Sequence, residues 1–218
     1  ICKKTMDIFI YLFVALFSVL NPIGTVPIFV GLTQGYTASE RSKTSLVTSI
    51  NVFIILMISF FVGQYVLSFF GITITALRIA GGIIIASSGF SLLNGNFSKN
   101  KGINKKVQKE VEARQHIALT PLAMPMLAGP GSISLLIAYY QELGESGSAI
   151  TSAEILFSCL AILAVAILIY IVLRSAHYLA KILGSSGIVA ISRIIGFLTI
   201  AIGIQYIISA TLSIIRGI

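Results

Sequence analysis

Two short segments carry the residues best able to do chemistry in this chain. The first reads Asn21-Pro22-Ile23-Gly24-Thr25-Val26-Pro27. The second reads Pro121-Leu122-Ala123-Met124-Pro125 and continues as Ala128-Gly129-Pro130-Gly131-Ser132. Between them they hold all five prolines of the chain. Proline has no N–H and clashes with the carbonyl four residues back, while glycine opens backbone angles that other residues avoid. Each segment therefore interrupts a helix and frees peptide N–H and C=O groups. Free N–H groups at a half-helix N-terminus suit a carboxylate, and free carbonyls suit an ammonium. The side chains on offer are small and neutral: Asn21, Thr25 and Ser132. That chemistry fits a small zwitterion with a modest apolar body. It is not the chemistry of catalysis. The sequence has no HExxH, Gly-x-Ser-x-Gly or P-loop pattern and no carboxylate pair within an apolar stretch, so we expect no enzyme activity, no cofactor and no metal.

The elements that must position these segments are set by composition. Apolar residues make up 56% of the 218 positions and charged residues 10%, against roughly 25% charged in soluble domains. Six stretches contain no Asp, Glu, Lys or Arg: residues 8–39, 44–77, 79–98, 115–141, 155–173 and 194–215. The shortest is 19 residues, and about 20 apolar residues cross a hydrocarbon core as a helix. A signal peptide is excluded by the repetition, and a β-barrel by the absence of polar–apolar alternation. The chain reads as an all-α, polytopic membrane protein with six transmembrane helices, the first and fourth discontinuous.

The formal net charge of +8 does not point to nucleic acid. If the spans alternate, Lys3, Lys4, Arg78 and Arg216 lie on one face. Arg41, Lys43, Lys99, Lys101, Lys105, Lys106, Lys109, Arg114, Arg174, Lys181 and Arg193 lie on the other. The face with more Lys and Arg is cytoplasmic, which puts both termini outside. Residues 96–114 then form a basic cytoplasmic loop.

The chain also contains itself twice. Arg78-Ile79-Ala80-Gly81 opens the third span and Arg193-Ile194-Ile195-Gly196 the sixth, with Ala86 and Ala201 at matching places. Gly71-Ile72 corresponds to Gly187-Ile188, and the proline clusters sit in the first and fourth spans. The expected organisation is a first three-helix repeat over 1–95, the loop 96–114, and a second repeat over 115–218. Three is odd, so the second repeat enters the membrane from the opposite side. This 3+3 inverted repeat is the arrangement of many secondary transporters, whose sites lie at interrupted helices near mid-membrane.

The blocks Asn21 to Phe29, Arg78 to Gly82 and Pro121 to Gly131 resemble the MarC/SnatA family of bacterial and archaeal inner-membrane proteins. The resemblance covers nearly the whole chain. It implies a six-helix integral membrane protein of the inner membrane, in a family linked to transport of small neutral amino acids such as glycine and alanine. Many relatives carry Asp where this chain has Asn21, so the obvious intramembrane carboxylate is gone. None of the seven acids lies within a span; Asp7 borders the first. Proton symport is therefore not supported, while facilitated diffusion, exchange or sodium coupling through unwound carbonyls stays open.

The expected activity is secondary transport of a small neutral solute, by alternating access at a site between the two breaks. The alternatives are a non-transporting membrane scaffold and a passive channel. Asn21 and Thr25 are expected to touch substrate, with Ser132 beside them. Gly24, Gly129 and Gly131 would admit it to the backbone, and Pro22, Pro27, Pro125 and Pro130 would hold the helices open. Arg78 and Arg193 are gate candidates, and Gln205 a cavity-lining one. Gly81, Gly82, Gly89, Gly196 and Gly203 read as close helix contacts. Tyr139, Tyr140, Tyr178 and Tyr206 read as interface anchors. The expected partners are the solute and the lipid bilayer, and a homo-oligomer is compatible with the sequence.

Overall fold

A computed structural model describes residues 2–33, 35–94, 127–145 and 151–216. The basic loop 96–114, Pro121, Pro125 and the opening of the predicted fourth span lie outside the described residues. Within them every regular element is a helix: α1 (Cys2–Leu20), α2 (Pro22–Leu32), α3 (Ala38–Phe70), α4 (Ile74–Leu93), α5 (Pro130–Glu145), α6 (Ser152–Arg174) and α7 (Ala176–Arg216). Five stretches are long and apolar enough to cross a membrane: Met6–Val26, Ala38–Phe70, Ile74–Leu93, Ser152–Arg174 and Val189–Ile215. They coincide with predicted spans one, two, three, five and six. Helix α5 is the described part of the fourth.

Local chemistry sets the ends of these helices. Thr37 and Glu40 form a capping box, each side chain serving the other's backbone N–H, and α3 stops at Gly71 in the left-handed region (φ 64°). Thr73 caps α4 by accepting from the Ala76 N–H at 3.2 Å. In α7, Gly184 adopts φ 61°, ψ 177°, which separates the short segment before it from the long span that follows.

The core is built between the two halves of the chain. Helix α1 packs on α6, α2 on α7, α3 on both α5 and α6, and α4 on both α5 and α7. Leu12, Leu16, Leu56, Phe60, Ile85 and Leu135 are all fully buried in this interior. The outer surface is apolar too. Ile54, Ile58, Ile83, Ile167, Ile194 and Phe197 are all exposed, as a bilayer-facing surface requires and a water-facing one does not tolerate.

The tightest packing joins α4 to α7. A methyl group on Gly82 would meet the Gly203 carbonyl oxygen at 2.6 Å, and one on Gly89 would meet the Gly196 carbonyl at 2.6 Å. As α4 advances from Gly82 to Gly89, its partner runs back from Gly203 to Gly196, so the helices are antiparallel. The expected glycine contacts are present, with one refinement: Gly81 faces α5, where a methyl would lie 2.6 Å from the Ser134 Cβ.

His177, at the start of α7, titrates below the ordinary histidine range, chiefly because burial disfavours its charged form and secondarily through the nearby Arg41 charge. The unfolded chain then binds the proton more readily than the folded one, so stability falls as pH drops through the normal histidine range. We expect the melting temperature in detergent to decline between about pH 7 and pH 5, around the ordinary histidine pKa, and to decline less in His177→Gln. An equal decline in both proteins would remove His177 from the account.

Candidate functional site

The first break is confined to one residue. Asn21 sits between α1 and α2 at φ 42°, ψ 65°, the one non-glycine residue with positive φ among those described. Asparagine is among the few L-residues that enter this region readily, because its short polar side chain bonds locally. Here Asn21 Oδ1 accepts from the Gly24 N–H at 3.2 Å and caps α2, while Pro22 occupies the first helical position. Gly24 is needed for space: a methyl on it would lie 2.2 Å from Asn21 Nδ2. The predicted interruption ran from Asn21 to Pro27, but α2 is continuous through Pro27 to Leu32. Pro27 therefore only withholds an N–H from the Ile23 carbonyl. Its side chain lies outside the described residues.

The break lies in the protein interior. Asn21 and Thr25 are both 0% exposed. The Thr25 hydroxyl donates to the Asn21 carbonyl at 3.3 Å. Asn21 Nδ2, by contrast, is buried with no hydrogen-bond partner among the described residues. Leaving a buried donor unmatched costs about 1–3 kcal/mol.

Proline at position 22 also orphans the carbonyl four residues back, that of Ser18. A residue outside the sequence reading answers it. Thr199 of α7, 0% exposed, brings its hydroxyl to 3.0 Å from the Ser18 oxygen, and to 2.8 Å from the Ile195 carbonyl of its own helix. No sequence pattern marks Thr199, since the contact joins positions 181 residues apart.

The described end of the second predicted break, residues 129–132, lies beside the end of α1. Gly129 precedes α5 and its carbonyl receives the Ser132 N–H at 3.1 Å and the Ser132 hydroxyl at 2.9 Å. Pro130 takes the first helical position, as Pro22 does in α2. A methyl on Gly131 would lie 3.2 Å from Ile85 Cγ1 and 3.5 Å from Val19 Cγ1, two residues before Asn21. The end of α1, the start of α5 and the middle of α4 therefore converge. Asn21, Gly24, Thr25, Gly131 and Ser132 are all buried here. Pro125 lies outside the described residues.

The remaining candidates sit elsewhere. Arg193 and Gln205 are exposed on α7, and Gln205 Nε2 donates to Ser209 Oγ at 3.5 Å. Arg78 is partly buried at the start of α4, toward a cluster that the sequence reading missed. Tyr139 and Tyr206 are 5% and 7% exposed, so they are not interface anchors; Tyr178, at 68%, fits that role. The Tyr11 and Tyr139 rings lie 5.9 Å apart, and the Tyr206 hydroxyl donates to the Leu135 carbonyl at 3.4 Å. Arg78 and Glu142 are close enough for their charges to act on Tyr11 and Tyr206. A periodic apolar pattern cannot distinguish a tyrosine at the lipid boundary from one turned inward. Among the described residues no three His, Cys, Asp or Glu side chains gather as metal ligands.

Comparison with known proteins places this architecture. The sequence model described as MarC family integral membrane protein matches residues 6–215. The chain is 40% identical over 204 residues to the UPF0056 membrane protein of Buchnera aphidicola subsp. Schizaphis graminum, covering 92% of this chain and 90% of the relative. It is 37% identical over 207 residues to the UPF0056 membrane protein YhcE of Escherichia coli K12, covering 94% and 93%. It is 38% identical over 209 residues to the UPF0056 inner membrane protein MarC of E. coli strain ATCC 8739, covering 93% of each. No solved structure matches the chain.

Proposed function

Since this chain belongs to the MarC family of integral membrane proteins, we propose that it is a secondary transporter of a small neutral solute. The solute class is small neutral amino acids such as glycine and alanine. The observation that carries this reading is the fully buried helix break at Asn21, with an amide donor unpaired among the described residues, set against the start of α5. Polar backbone at mid-span is costly in a membrane unless it is buried in protein or lines a path, and interrupted helices of this kind hold transporter substrates.

In this reading the halves form an inverted repeat and alternate access by rocking about the break. The helix partnerships support it. Exchanging the first three spans for the last three turns the α2–α6 contact into α3–α5 and the α2–α7 contact into α4–α5. The same exchange returns α4–α7 and α3–α6 to themselves. The antiparallel α4–α7 pair is what a twofold axis in the membrane plane would generate from equivalent helices. The relatives' inner-membrane name and the charge asymmetry support an inner-membrane location with both termini outside.

Counterflow in proteoliposomes tests the reading. Vesicles loaded with unlabelled alanine or glycine are expected to accumulate the labelled amino acid transiently and saturably. Flux without saturation or counterflow would make the protein a channel. No flux from folded protein, across a panel of neutral amino acids, would overturn the amino-acid assignment and favour a scaffold.

A further inference from the structure

Resting on the transport reading above, we infer that the Thr199 hydroxyl is a displaceable stand-in for the ammonium group of the substrate, held on the Ser18 carbonyl, while Asn21 Nδ2 receives the carboxylate. Pro22 removes the helical partner of the Ser18 oxygen, and Thr199 fills the vacancy from another helix at 3.0 Å. A hydroxyl carries one proton. The same Thr199 oxygen lies 2.8 Å from the Ile195 carbonyl, so that proton has a second acceptor on its own helix. Turning to Ile195 releases Ser18 without leaving the hydroxyl unpaired. The freed oxygen is then open to a ligand.

The charge type of that ligand follows from the surroundings. Ser18, Asn21, Thr25 and Thr199 are all buried and all neutral, so the break offers dipoles rather than ions. An ammonium is the donor that gains most from a bare carbonyl. Three residues on, Asn21 Nδ2 offers a donor that no acceptor among the described residues serves. The Thr25 hydroxyl donates to the Asn21 carbonyl and takes no proton from Nδ2. One acceptor and one donor on the same turn of broken backbone match the two charged ends of an α-amino acid. An amine alone or a carboxylate alone would leave half of the break unserved.

The test is ligand binding to purified protein in detergent, with alanine, lactate and alaninamide as probes, in wild type, Thr199→Ser and Thr199→Val. In the wild type the ammonium takes an acceptor already served; in Thr199→Val it takes one that nothing serves. Alanine is therefore expected to bind Thr199→Val roughly fivefold more tightly than wild type, a change on the scale of one neutral hydrogen bond. Thr199→Ser should match wild type. Lactate, which lacks the ammonium, should gain nothing from the valine variant, and alaninamide should bind weakly everywhere. Unchanged affinity for alanine in Thr199→Val, or an equal change for alanine and lactate, would overturn the inference while leaving transport intact. Failure of wild type to bind alanine would overturn the transport reading as well. If the valine variant does not fold, the wild-type panel decides: lactate binding as tightly as alanine rules the ammonium contact out.

Discussion

Asn21→Leu is expected to abolish alanine counterflow while leaving the protein folded. Leucine has nearly the shape of asparagine, so the space beside Gly24 stays filled. Three effects on stability oppose one another. Losing the cap on the Gly24 N–H costs about 1 kcal/mol. Holding a leucine in the left-handed region costs about 1–2 kcal/mol. Removing the unpaired Nδ2 returns about 1–3 kcal/mol. The balance is near zero. The functional effect has no such offset. A hydrogen bond to a charged ligand group is worth about 1.5–3 kcal/mol, which is roughly 10- to 150-fold in affinity. Asn21→Gly provides the second arm, since glycine accepts the backbone angle and loses only a few tenths of a kcal/mol as a cap. Both variants should melt near wild type and both should lose saturable uptake. Full activity in a folded Asn21→Gly would detach the amide from substrate binding.

The second large effect is on folding. Gly203→Ala is expected to destabilise the protein by about 1–3 kcal/mol, the usual cost of forcing a methylene into a filled site. The new methyl would stand 2.6 Å from the Ala86 N and 2.6 Å from the Gly82 carbonyl oxygen. Both are backbone atoms, so neither can swing aside, and α4 and α7 must separate. Gly31→Ala is the matched control. Nothing lies within 4 Å of a methyl at that helical position. There the substitution should be neutral or stabilise by about 0.5 kcal/mol, through the smaller backbone entropy of alanine. Thermal unfolding in detergent should therefore move in opposite directions for one chemical change. If Gly203→Ala melts with wild type, close packing of α4 on α7 does not hold the bundle.

Much of this molecule is legible in the one-dimensional pattern, for identifiable reasons. Charge-free stretches of about 20 residues have few folded options, because a bilayer leaves only helices able to satisfy their own backbone. Proline and asparagine fix backbone geometry within a residue or two, so the break at Asn21 could be placed from sequence. Its extent could not. Pro27 was expected to prolong the interruption, yet α2 runs through it. A proline removes one hydrogen bond, and neighbouring helices decide whether the backbone unwinds further.

Side-chain direction around a helix is the other limit. Tyr139 and Tyr206 sit in apolar runs that look like membrane boundaries, and both point inward. Gln205 looks costly to expose to lipid, and it points outward beside Ser209. Thr199 is one of many small polar residues in the chain, and only the crossing of α7 over the end of α1 gives it the Ser18 carbonyl. The sequence by itself determined the membrane-spanning helices and the place where the first span breaks, because these depend on local backbone chemistry and on the solvent the chain requires. The tertiary structure alone decided which groups meet at the break. Those contacts join residues far apart in the chain, and which of them form is set by how the two halves pack.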